Sequence, residues 1–118
     1  MKGRMKALLE ADGVIIAEDV REAGDFFTRL LGLMYKKDLP SGQALLITPC
    51  NSIHTFGMKF AIDVIFLDPE GIVLKVIRSL GRGKIVGKVP GGHTVLEMKA
   101  GSLPNGIELD GKKINFSE

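Results

Sequence analysis

The sequence predicts an α+β domain, mostly antiparallel β in a small barrel-like or sandwich-like sheet, with one principal α-helix near residues 19–31. Three observations carry this expectation. Turn signals recur every eight to twelve residues or so, the spacing of short strands in sandwiches and barrels. Apolar residues make up 45% of the 118 residues, enough for a core in one domain spanning 1–118. One segment alone carries helical periodicity with end signals.

The elements follow in order. Residues 5–10 and 14–17 are apolar-rich and flank Asp12-Gly13, a pair that suits a tight hairpin with positive φ at both central positions. Asp19 with Glu22 three residues on has capping-box spacing. Val20, Ala23, Phe27, Leu30 and Leu31 then form one apolar stripe that Gly32 ends, with Gly24 set inside it. Beyond Gly32 the punctuation is that of strands: Gln43 to Thr48, Ile62 to Leu67, Ile72 to Arg78, a weaker Lys84 to Val89, and Thr94 to Lys99. Asp68-Pro69-Glu70-Gly71 is a turn with proline in its favoured second place. A final hairpin is expected about Asp110-Gly111, between Ile107–Leu109 and Lys112–Phe116.

Composition excludes several classes of function. Sixteen Lys and Arg against 14 Asp and Glu leave a net charge of +2, and the cations are scattered, so nucleic acid is not the expected partner. A single cysteine, Cys50, forms no internal disulfide and fits a reducing compartment. No apolar run reaches the length of a membrane span and no export signal opens the chain, so a cytoplasmic location is expected. Leu80-Gly81-Arg82-Gly83-Lys84 lacks the spacing of a phosphate loop and reads as a flexible exposed loop.

The chemistry concentrates between Cys50 and Asp63, where polar side chains lie between two apolar strand runs. Four readings compete. In the plainest, His54 and Asp63 hydrogen-bond backbone at an irregular crossover and Cys50 is a small buried residue. In the catalytic reading Cys50 is a nucleophile, His54 its base and Asp63 the orienting group, giving a hydrolase or acyl transferase. A metal site would have to recruit carboxylates to Cys50, His54 and His93 without a motif, so neither metal nor cofactor is expected. The fourth is a binding pocket for a small ligand or a protein partner, formed by His54, Met58, Lys59, Asp63 and Glu97.

Asp63 leads into Val64-Ile65-Phe66-Leu67, apolar enough to be buried on both faces, and therefore needs a partner, for which Lys59, His54 and Arg78 are candidates. Strand alternation puts Val95, Glu97 and Lys99 on one face, with Leu96 and Met98 on the other. Gly57 stands where backbone could approach a ligand closely. Among the functional readings, a binding or accessory module leads, with the enzyme using Cys50 and His54 as its alternative.

Three stretches add a resemblance: Leu30-Leu31-Gly32-Leu33-Met34-Tyr35-Lys36, Ile53 through Asp68, and Val95-Leu96-Glu97-Met98-Lys99-Ala100-Gly101. Together they resemble the uncharacterised family known as domain of unknown function 192. The resemblance implies a small, mostly β single domain with one helix and brings no established activity. It favours the Met58, Asp63 and Glu97 positions, which match the family pattern, over His54.

Overall fold

The structure is a computed structural model, and it describes residues 5–22 and 39–118. Nine strands account for its regular structure: β1 Met5–Leu9, β2 Ile15–Glu22, β3 Gln43–Ile47, β4 Ile53–His54, β5 Ile62–Leu67, β6 Val73–Leu80, β7 Ile85–Val86, β8 Thr94–Lys99 and β9 Ile114–Ser117. Seven form one sheet in the order β6-β5-β8-β3-β2-β1-β9, and β4 pairs with β7 separately. All neighbours are antiparallel except β2 and β3, which run parallel.

The sheet curls until its two edges meet. Ile72 bridges Lys113, and the Val73 amide donates to the Lys112 carbonyl at 2.8 Å. The Ile114 amide donates to Gly71 at 2.9 Å. Ala7, Leu9, Ile16, Ala17, Val20, Leu46, Ile65, Leu67, Leu96, Met98 and Ile114 fill the concave side, and Leu103 and Leu109 pack with them. On the opposite face Ile47, Ile62, Val64, Phe66 and Val95 form a second core, covered by Ile53, Met58, Val86 and Val89. The pair β4–β7 is therefore a flap over the outer face of β3, β8 and β5.

The expected α+β class with a principal helix at 19–31 is corrected. Residues 19–22 belong to strand β2, hydrogen-bonded to β1 and β3, and no helix occurs among the described residues. The remainder of that expected helix, from residue 23, lies outside the described residues. Asp19, expected as the cap, lies instead in the sheet with its carboxylate 3.1 Å from Arg21. Of the expected apolar stripe only Val20 is among the described residues, and it belongs to the sheet, paired with Met5 of β1 and Ala44 of β3. The β1–β2 register shifts twice, from Met5–Val20 through Ala7–Ala17 to Leu8–Ile15. These bulges let residues 16, 17, 19 and 20 all be buried within one strand.

The turns also sort themselves. The Asp12-Gly13 hairpin forms, but only Gly13 has positive φ, and the Asp12 carboxylate accepts the Val14 amide at 3.0 Å instead. The final expected hairpin does not form: residues 107–109 are not a strand, and β9 pairs with β1. The Asp68–Gly71 turn forms as expected, with Asp68 Oδ1 accepting the amides of Glu70 and Ile72 at 2.8 and 2.9 Å.

At Gly71 the edges of the sheet meet. Its φ is +86°, and a Cβ there would lie 2.8 Å from the Ile114 carbonyl oxygen. Gly106 has a similar φ of +77° with open space around it. Gly71→Ala is therefore expected to cost about 2 kcal/mol or more, and Gly106→Ala about 1 kcal/mol, in urea denaturation. Equal losses at the two positions would refute the close approach at the seam.

Candidate functional site

The sequence-derived candidates are divided between two faces of one sheet. In the β5–β8 ladder Asp63 stands opposite Met98, and Val64 stands opposite Glu97. Asp63 thus projects with Ile65 and Leu67 to the concave side, whereas Glu97 projects with Val95 to the outer side. Glu97 is buried there between Leu45 of β3 and Val64 of β5. The expected alternation along β8 holds.

Asp63 has a defined task. The β5–β6 register shifts between Ile62–Leu80 and Val64–Ile77, so Arg78 and Ser79 together face Asp63. In such a bulge the ladder leaves an amide without its partner. Here Asp63 Oδ1 accepts the Ser79 amide at 2.8 Å, and Ser79 itself has φ of 54°. Oδ2 accepts the amides of Gly101 and Leu103 at 3.0 and 3.1 Å. Arg78, raised by the same bulge, donates to the carbonyls of Leu103 at 3.2 Å and Pro104 at 2.9 Å. The loop carrying Leu103 into the concave core is thus held through its amides by Asp63 and through its carbonyls by Arg78. The partner required for the Asp63 carboxylate is backbone, not Lys59, His54 or the Arg78 side chain.

The catalytic constellation is not assembled. The Cys50 thiol donates to the Ser52 carbonyl at 3.1 Å. The His54 ring lies against Phe56, with centroids 5.6 Å apart and planes tilted by 36°. Both oxygens of Asp63 are occupied by amides, so the three side chains have three separate sets of partners.

The flap carries the remaining candidates and one residue that sequence reasoning passed over. Thr55 is fully buried, and its hydroxyl donates to the Gly81 carbonyl at 2.6 Å while accepting the Lys84 amide at 2.8 Å. Its own amide donates to Lys84, and its carbonyl accepts the amides of Met58 and Gly83. The Gly-rich segment 81–84 is therefore not a free loop but is bound along its length to Thr55. Gly57 has φ of +81° within the turn that the Met58–Thr55 bond closes, so its glycine serves the turn. Met58 is buried in the outer core, and Lys59 is exposed.

Alternation decides what faces outward. Ile53 and Val86 point into the core, so their neighbours His54 and Ile85, paired across the ladder, point to solvent. Ile85 is 71% exposed and Phe56 50%. His54 thus lies against Phe56 and pairs across the ladder with Ile85, so the flap exposes two large apolar side chains beside an imidazole, with Lys59, Arg82 and Lys84 exposed in the same two segments. In the sequence its signal is a run without a carboxylate from Gly71 to Leu96. Among the described residues no cluster of His, Cys, Asp and Glu is arranged to hold a metal ion, and no helix is long and apolar enough to cross a membrane.

Comparison with known proteins gives three findings. Residues 7–116 match the family domain of unknown function 192, described as Uncharacterized ACR. UPF0127 protein PH1112 of Pyrococcus horikoshii is 44% identical over 63 residues, which is 49% of this chain and 53% of the relative. The match therefore spans about half the length of that relative. Among solved structures, a candidate transcription regulator from Sinorhizobium meliloti 1021 superposes with a TM-score of 0.79 at 19% identity, covering 96% of this chain and 92% of its own. A protein of unknown function from Novosphingobium aromaticivorans DSM 12444 gives a TM-score of 0.72 at 14% identity, with 95% and 83% covered. At these identities the two structures establish the shared fold.

The Asp63 geometry predicts a stability defect of a particular kind. Asp63→Asn keeps the shape but turns an amide group toward backbone donors. It is expected to destabilise by about 2–3 kcal/mol in urea denaturation. Hydrogen exchange should accelerate selectively at the Ser79, Gly101 and Leu103 amides. Unchanged protection of those amides would refute the clamp.

Proposed function

The chain belongs to the uncharacterised family domain of unknown function 192, and because this membership brings a fold without a reaction, we propose that it is a non-catalytic binding module that engages a partner through the outer surface of the β4–β7 flap. The observation that carries this reading is the exposed cluster of His54, Phe56 and Ile85 on a base tied down by Thr55. Scattered apolar side chains on a surface need no explanation, but contiguous ones bordered by polar groups mark contact sites. A base already ordered by hydrogen bonds loses little entropy when it binds.

A binding role is also supported by what Cys50, His54 and Asp63 do. Acyl transfer through a thiol requires the thiol and its base to share a hydrogen bond, and here each group is engaged elsewhere. Of the residues expected to form a binding patch, His54 and Lys59 remain at the contact surface. Met58 supports it from beneath, and Asp63 belongs to the fold on the other side of the sheet. The partner is a ligand or protein segment of the compartment in which the lone thiol stays reduced, which we take to be the cytoplasm.

The test places a photo-crosslinking residue at position 85 in cells and identifies adducts by mass spectrometry. A defined adduct is expected, lost on Phe56→Ala, while the stability of Phe56→Ala stays within about 1 kcal/mol of wild type because the side chain is half exposed. Absence of a defined adduct, or one indifferent to Phe56→Ala, would overturn the reading.

A further inference from the structure

The flap is one-signed in charge as well as apolar at its centre. Segments 51–62 and 81–93 contain none of the chain's 14 Asp and Glu residues. They contain Lys59, Arg82, Lys84 and Lys88, all exposed, together with both histidines. Among the described residues none of these four cations makes an ion pair, unlike Lys6 with Glu18 and Arg21 with Asp19. The backbone holds these cations near the cluster. Thr55, between His54 and Phe56, is bonded to Gly81, Gly83 and Lys84, which brings Arg82 and Lys84 alongside. Lys59 follows Met58, whose amide closes onto Thr55. Lys88 precedes Val89, whose amide donates to Asn51 at the base of the flap.

We infer that the occupant of this surface is an acidic polypeptide segment carrying an apolar anchor, an inference that rests on the binding reading above. Each exposed cation attracts one carboxylate only weakly in water. Several cations with no carboxylate among them create a field that selects the sign of the partner and speeds its arrival. Affinity comes from the apolar centre, where covering Ile85 and Phe56 removes hydrocarbon from water. A polypeptide fits better than a nucleic acid because the most exposed group is Ile85, an aliphatic side chain with no π face for a base to stack on. The aromatic pair beside it is already packed ring against ring.

The test titrates the whole chain with fluorescent peptides of about a dozen residues and reads anisotropy. One peptide is rich in Asp and Glu around a central Leu or Phe, a second has Asn and Gln in place of the acids, and a third probe is a single-stranded oligonucleotide. The acidic peptide is expected to bind at least about tenfold more tightly than its amide counterpart, and to weaken by about tenfold between 50 and 300 mM salt. Arg82→Glu with Lys84→Glu should abolish that preference, Arg82→Ala with Lys84→Ala should reduce it, and Lys112→Glu should leave it intact. Equal binding of the amide peptide, tighter binding of the oligonucleotide, or no peptide binding at all would each overturn the inference. In those cases the adduct at position 85 reports separately on whether the flap is a contact surface.

Discussion

Strand β5 is buried at all six of its residues, and this two-sided burial organises the rest of the molecule. A strand whose successive side chains point to opposite faces can be dry throughout only if both faces of the sheet are covered. Curling the sheet onto itself covers one face, with the seam at Ile72 and Lys113. The flap covers the other. Ile62, Val64, Ile65, Phe66 and Leu67 are each 0–1% exposed, and burying such side chains contributes about 1.5–3 kcal/mol apiece before conformational entropy is counted. The flap is thus required by the apolar outer face of β3, β8 and β5. Its outward side is built of the residues that alternation leaves over. Ile85 is exposed because Val86 is not.

The same constraint explains why a carboxylate can lie inside β5. A buried charge without compensation would be driven out or neutralised. Asp63 is instead surrounded by amides that the fold leaves without partners: one from the bulge at Ser79 and two from the loop at Gly101 and Leu103. Replacing all of these groups by apolar ones would require a different bulge and a different loop, because the amides belong to the backbone. The charge is therefore part of how edge strand β6 and the Leu103 loop are joined to the barrel. Its burial is a consequence of that joint.

Much of this was legible in the sequence where physics is local. The apolar run Val64–Leu67 announced a strand covered on both faces, the Asp68–Gly71 turn declared itself through proline and glycine, and the period of two along β8 placed Glu97 opposite in facing to Leu96 and Met98. Nonlocal pairing hid the remainder. Asp19 and Glu22 have the spacing of a capping box, and only the pairing of Val20 with Met5 and Ala44 shows that both lie in a strand. That Asp63 needed a partner could be deduced, but a sequence does not show which backbone amides a bulge releases. Asp63 and Glu97 looked like members of one patch because both are acids in apolar strands. The antiparallel register, opposing Asp63 to Met98 rather than Val95 or Glu97, separates them by the thickness of the sheet.

The flap's order depends little on its ladder. Strands β4 and β7 are two residues each, pairing Ile53 with Val86 and His54 with Ile85. So short a ribbon has no independent stability. Two other sources hold it: the inward side chains of Ile53, Met58, Val86 and Val89 on the outer core, and the buried Thr55 with its bonds to residues 81–84. A threonine hydroxyl in that position accepts one amide and donates to one carbonyl, so it joins two chain segments that neither sheet register nor helix geometry would bring together. The consequence for recognition is direct. Under the proposed binding role, the exposed side chains stand on backbone that Thr55 ties to residues 81–84, so a partner would meet an ordered base. On that proposal selectivity comes from what those side chains offer, which is hydrocarbon at Phe56 and Ile85 and positive charge at Lys59, Arg82 and Lys84.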